Sequence, residues 1–217
     1  MLNLDQVTYG HSPAQLRQVT FTLPSGVIAQ LDGPTGSGKS TLLRAIARHT
    51  DVHKGTITIA GHDTTGWKTI RVAQYVAYAP QRHRVWPTMT VADHLHLAWP
   101  MRRARRTTRD QVLDMFPPLA ARLRQPAELL PADQIHMLCL AVTLLRSKPL
   151  LLLDEPFRAL PPAIGLSVAD HLRELTRVGT TILVVDSART LDRPEMTLTI
   201  DSGTLAAHVP AAAKVRR

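Results

Sequence analysis

Eight consecutive residues carry the densest chemistry in the chain: Gly33-Pro34-Thr35-Gly36-Ser37-Gly38-Lys39-Ser40. They fit the spacing G-x-x-x-x-G-K-[ST]. Gly33, Gly36 and Gly38 allow backbone conformations closed to other residues, so that successive N–H groups turn inward on an anion. A helix starting at Lys39-Ser40 adds the positive end of its dipole. Lys39 brings a full charge to the outer phosphates, and the Ser40 hydroxyl suits Mg²⁺. Thr41, next along that helix, joins the phosphate-binding set.

A second group lies far along the chain, in Leu150-Leu151-Leu152-Leu153-Asp154-Glu155-Pro156. An acid at the carboxyl end of a buried strand beside a phosphate cradle can hold Mg²⁺ through water, and a following acid can polarise an attacking water. Asp154 is therefore expected at the metal and Glu155 as general base. Two acids at an ordinary strand-to-loop corner is the plainer alternative, and the cradle is what weighs against it.

The cradle needs a strand before it and a helix after it. Val27-Ile28-Ala29-Gln30-Leu31 reads as a buried strand, and the segment from Thr41 to His49 as a helix. A Gly/Ser-rich loop matching by accident would lack this setting. Upstream, Leu2 to Tyr9 alternates like a half-buried strand, with a turn at Gly10-His11-Ser12-Pro13 and a second strand over 16–23. Thr56 to Ile59 and Val76 to Ala79 read as further strands. From there the pattern turns helical. Thr90 opens a capping box, helices are expected over 108–116, 119–123 and 134–145, and residues 85–145 form a helical insert. The apolar strands 150–154 and 181–186, with a helix over 162–177 between them, imply an α/β protein with a mainly parallel sheet. Residues 196–208 read as a hairpin and 209–217 as a loose tail.

At 217 residues one domain is expected, spanning 1–208. The single Cys139 excludes an internal disulfide framework and fits a reducing cytosol. No apolar run reaches the ~18 residues of a membrane span, and the N-terminus has no signal-peptide pattern. Lys and Arg number 26 against 17 Asp and Glu, a formal charge of +9, which favours acidic partners such as nucleotides or an anionic membrane face. The run Arg102-Arg103-Ala104-Arg105-Arg106-Thr107-Thr108-Arg109 reads as a solvated loop before a helix. His94 and His96, two apart and without cysteine pairs, do not suggest a zinc site.

Together these motifs resemble the nucleotide-binding subunits of ATP-binding cassette (ABC) transporters, over essentially residues 1–208. Through Val85-Trp86-Pro87-Thr88-Met89-Thr90-Val91-Ala92-Asp93-His94-Leu95, Met137-Leu138 and Leu153-Asp154-Glu155-Pro156 the chain is most similar to ATPase subunits of branched-chain amino-acid importers. The resemblance implies a P-loop NTPase (RecA-like) core of mainly parallel sheet, with an N-terminal antiparallel β subdomain and an inserted helical subdomain. It implies ATP and Mg²⁺ as ligands, and catalytic roles for Glu155, Lys39 and Gln81. It places Tyr9 on the adenine ring and Gln81, with Ser40 and Asp154, at the metal. It also implies a second ABC ATPase subunit and an integral membrane permease as partners, the latter docking near Trp86, at the cytoplasmic face of the membrane. No nucleic-acid partner is expected, since tandem cassettes and long coiled coils are absent.

Three positions depart from the family pattern. The signature, usually Leu-Ser-Gly-Gly-Gln, reads Leu130-Pro131-Ala132-Asp133-Gln134. Pro131 removes a hydroxyl and an N–H, and Asp133 sets negative charge against an anion. The switch histidine is expected at Asp186, and Pro161 stands where the family usually has an aspartate. These losses fall on what the chain offers a partner's cradle. They imply the degenerate half of a heterodimer; a homodimer, or a regulatory module like the cell-division ATPase subunits, is the alternative.

Overall fold

In the computed structural model the described residues are 1–10, 16–82, 85–99, 107–201 and 204–208. The arginines at 102–106 and the expected loose tail at 209–217 lie outside them. The chain runs β1 (Leu2–Tyr9), β2 (Leu16–Leu23), β3 (Ile28–Asp32), α1 (Lys39–Ile46), β4 (Val52–Ile59), β5 (His62–Asp63), α2 (Thr69–Val72) and β6 (Val76–Ala79). There follow α3 (Val91–Ala98), α4 (Arg109–Met115), α5 (Pro117–Ala120), α6 (Ala132–Leu145), β7 (Leu150–Asp154), α7 (Pro162–Arg177), β8 (Thr181–Val185), β9 (Met196–Asp201) and β10 (Thr204–His208).

β7 shows why the sheet is central. All its residues are buried, and alternate leucines serve opposite layers, as the two-residue period of a strand dictates. Leu151 and Leu153 pack with Leu95 of α3, Leu138 and Ala141 of α6 and Leu172 of α7. Leu150 and Leu152 pack with Leu42, Leu43 and Ile46 of α1 and with Leu4 and Ile57 of the N-terminal strands. A strand buried on both faces needs no polar alternation, which explains the unbroken apolar run.

The strands form two sheets. One is antiparallel, in the order β2-β1-β4-β5; the other has the order β10-β9-β3-β8-β7-β6. In the second, β6, β7, β8, β3 and β9 run parallel, and the β9–β10 hairpin closes one edge. The register sets Asp154 opposite Val185 and Gln30 opposite Val184, so the carboxyl ends of β3, β7 and β8 lie side by side. Ligands in open parallel sheets gather at such ends.

The expected elements are present, with shifted bounds. α1 stops at Ile46 rather than continuing to His49, because Arg48 takes a left-handed backbone (φ +59°) that a helix cannot continue through. β4 starts at Val52, earlier than the apolar residues 56–59, because pairing with β1 extends to Tyr9↔Val52. The helix expected over 119–123 is the short α5, whose start is fixed by Pro117 and Pro118. The capping boxes are in place: Thr90 with Asp93 opens α3, and Thr108 with Gln111 opens α4. The short α2 and β5 had no signal in the periodicity.

Candidate functional site

β3 ends at Asp32 and α1 begins at Lys39, so residues 33–38 make the turn between them. Gly33 has φ +145°, and a Cβ there would collide with the Ile200 carbonyl oxygen, so only glycine fits where β9 passes. Gly36 (φ +83°) opens onto free space. Gly38, left-handed at φ +100°, precedes α1 with no side chain capping the helix. The first N–H groups of that helix are thus available to an anion.

Lys39 Nζ donates to the carbonyl oxygens of Gly33 (2.6 Å) and Pro34 (2.9 Å). An ammonium has three protons, so one remains for a phosphate. These features fit the loop to a phosphate chain.

The two distant motifs meet at Ser40, whose Oγ donates to Asp154 Oδ1 at 3.1 Å. Burial pushes the Asp154 carboxyl above the ordinary carboxylate range. The Ser40 bond and the Gln81 backbone N–H oppose this, while the neighbouring Glu155 charge adds to it. A divalent cation between these oxygens would reverse that balance, so the donor set suits a hard metal. Gln81, two residues beyond β6, lines the same cleft of about 720 Å³ as Thr35, Lys39, Ser40, Thr41 and Asp154. Pro34, by contrast, meets Lys39 through its carbonyl.

Glu155 stands in left-handed backbone (φ +56°), its N–H donating to the Val185 carbonyl at 2.8 Å. Its carboxylate accepts the Ser187 N–H (3.1 Å) and the Ser187 hydroxyl. The carboxylate is thereby fixed in direction while keeping lone pairs for a water proton.

Two expectations require correction. Tyr9 does not offer a face to an adenine: it is fully buried in the core beneath the antiparallel sheet, paired on both sides by β2 and β4. Asp186 does not occupy the switch position beside Glu155. It is 2% exposed, and its carboxylate accepts the N–H groups of Ala188 (3.2 Å), Thr190 (2.6 Å) and Leu191 (3.3 Å), capping the turn after β8. The residue that faces Glu155 from that strand end is Ser187, one position later. The only hint in the sequence was its place just past the apolar run.

A third contact escaped the sequence altogether. His136 of α6 donates from Nε2 to the Pro156 carbonyl at 2.7 Å, tying the helix that follows the signature segment to the loop of the acid pair. At the start of that helix Pro131 is the N-cap, with no side-chain cap, and Asp133 lies in the first turn. A carboxylate there favours the helix's own dipole and opposes an incoming phosphate.

A family profile described as "ABC transporter" matches residues 16–158, which include the cradle and the acid pair. The chain is 28% identical over 219 residues to "High-affinity branched-chain amino acid transport ATP-binding protein BraG" of Pseudomonas aeruginosa, covering 98% of this chain and 94% of that protein. It is 33% identical over 175 residues to "Probable branched-chain amino acid transport ATP-binding protein LivF" of Archaeoglobus fulgidus, covering 79% and 74%. Among solved structures, an ATP-binding subunit of an ABC transporter superposes with a TM-score of 0.81 at 22% identity, over 96% of this chain and 90% of the other. A dimeric ATP-binding cassette in a post-hydrolysis state with ADP and Pi gives 0.81 at 20% identity, over 96% and 98%. These likenesses establish the ATP-binding-cassette fold, and with the profile match they show that the chain belongs to the ABC transporter family.

Proposed function

We propose that this chain binds Mg·ATP in its own cradle and, joined to a second ABC subunit, couples ATP binding and hydrolysis to a separate integral membrane permease. The observation that carries this reading is the Ser40–Asp154 hydrogen bond, which brings the cradle and the acid pair to one point. In this reading Lys39 and the loop amides hold the phosphates, Ser40, Asp154 and Gln81 hold the metal, and Glu155 takes a proton from the attacking water. When bound, Mg²⁺ neutralises charge on the outer phosphates.

The permease would dock beside Trp86, which is 58% exposed shortly after Gln81. Its backbone N–H donates to His94 Nε2, which anchors that surface to α3. No helix among the described residues is long and apolar enough to cross a membrane, and the chain would sit on the permease at the cytoplasmic face. Since Pro131 and Asp133 weaken what α6 offers a partner's nucleotide, the second subunit is a different chain with an intact signature. The same feature favours a second reading, an ATP-dependent regulatory module with little turnover acting on a membrane partner.

Calorimetry with Mg·ATP tests the binding step. Uptake by the wild-type chain and its loss in Lys39→Ala are expected; unchanged affinity in that variant would refute the cradle. Hydrolysis separates the two readings. The isolated chain should turn over feebly, and a partner with an intact signature should raise the rate if the chain powers transport.

A further inference from the structure

The loop that carries Glu155 also carries a guanidinium that the expected catalytic set leaves unused. The Arg158 N–H closes a turn onto the Glu155 carbonyl at 3.2 Å, between two left-handed residues, Glu155 (φ +56°) and Ala159 (φ +60°). Arg158 lines the same 720 Å³ cleft as Gly36, Lys39, Ser40, Asp154 and Ser187. Arg158 is exposed and enters no ion pair among the described residues. The other arginine of that cleft is engaged elsewhere. Arg44 Nε donates to the Ser40 carbonyl at 3.2 Å, and its guanidinium lies beside Tyr78 and Asp154.

Phosphoryl transfer spreads charge over the three equatorial oxygens of the terminal phosphate, and cations fixed around them stabilise it. The turn after β8 supplies Arg189, which lines the space beside Gly33 and Lys39 but is paired with Asp32 at 3.4 Å. The Ser187 hydroxyl is already given to Glu155, and the Asp186 carboxyl accepts the N–H groups of its own turn. Lys39 commits two of its three protons to loop carbonyls. Of the cations lining the 720 Å³ cleft, Arg158 is the one with no side-chain hydrogen bond or ion pair among the described residues, and it is carried by the same loop as the general base.

We propose that Arg158 engages the terminal phosphate of ATP bound in the same chain, as a planar donor suited to two phosphate oxygens at once. This rests on the reading of the cleft as an ATP site and adds to it a residue that distinguishes ATP from ADP. ADP lacks the group that Arg158 would hold, so the residue sets which nucleotide the chain prefers as well as assisting the transfer.

Calorimetric affinities for Mg·ATP and Mg·ADP, on the whole chain and on Arg158→Ala and Arg158→Lys, test the proposal. Arg158→Ala should weaken ATP roughly tenfold or more, the size expected for a lost charge-assisted hydrogen bond, and leave ADP within about twofold. Arg158→Lys should recover only part of the loss, because an ammonium lacks the fork. An equal fall for both nucleotides, or no change for either, would overturn the role of Arg158 alone. Failure of the wild-type chain to take up either nucleotide would overturn the ATP site itself, and this residue's role with it.

Discussion

The amide and the hydroxyl of Ser187 converge on one side chain, the carboxylate of Glu155, so the end of β8 orients the acid at the end of β7. If that geometry positions the general base, Ser187→Ala should slow hydrolysis in the assembled dimer by roughly tenfold or more, the range for a hydrogen bond to a charged group. The Mg·ATP affinity should move by no more than about twofold, since Ser187 holds the base and not the phosphates. Steady-state rates and calorimetry on the same preparation check both halves. A wild-type rate in Ser187→Ala would mean that Glu155 is oriented by something else.

Tyr9 offers a second test, because its position in the core leaves its hydroxyl buried with no hydrogen-bond partner among the described residues. An unsatisfied buried hydroxyl costs about 1–3 kcal/mol. Tyr9→Phe keeps the ring and removes that cost, so its melting temperature should rise by a few degrees, at about 2–4 °C per kcal/mol for a chain of this size. ATP affinity should be unchanged in the same variant. A lower melting temperature would show that the hydroxyl has a partner in solution.

Much of this architecture was legible in the chain. The cradle, the acid pair and the strand runs are local patterns, each written in consecutive residues, and the elements fall where the patterns lie. What escaped depends on contacts between distant segments. Whether Tyr9 points at solvent or core is decided by the pairing of β1 with β2 and β4, and alternation alone does not say which face is covered. Asp186 and Ser187 are neighbours, and a slip of one residue exchanges a turn cap for a contact with Glu155. Arg158 has no motif of its own, and only the left-handed turn after β7 carries it to the cleft.

Two buried histidines lower stability as the solution turns acid. His136 and His171 are 7% and 6% exposed, and burial holds both below the ordinary histidine range, with Arg158 nearby adding to the effect at His136. The folded state therefore binds their protons less readily than the unfolded chain. Their contribution to stability is complete above about pH 6.5 and is lost as pH falls through the depressed folded values. Asp154 and Asp186, raised by burial, act oppositely: their contribution is present below the ordinary carboxylate value and lost as pH rises through the folded ones. Comparing His136→Gln with wild type isolates the part that His136 contributes. Urea midpoints between pH 7.5 and 5 should fall less steeply in the variant; parallel curves would show that His136 does not titrate differently on folding.

The signature segment can be tested by repair. Pro131→Ser, Ala132→Gly and Asp133→Gly together restore the family pattern at the start of α6, supplying a hydroxyl, an N–H and two backbones open to close approach. If that segment limits the homodimer, ATP hydrolysis by the purified repaired chain should rise about tenfold or more over wild type. The repair should also carry a cost in stability. Glycine in a first helical turn and the loss of the Asp133 charge from the positive end of α6 are each worth up to about 1 kcal/mol, and the new hydroxyl cap returns about 1 kcal/mol, so the melting temperature should drop by about 2–4 °C. A faster, less stable protein is thus the expected outcome. An unchanged rate at lower stability would place the limit elsewhere, at Ser187 or Pro161, and would remove the reason for requiring a different partner chain.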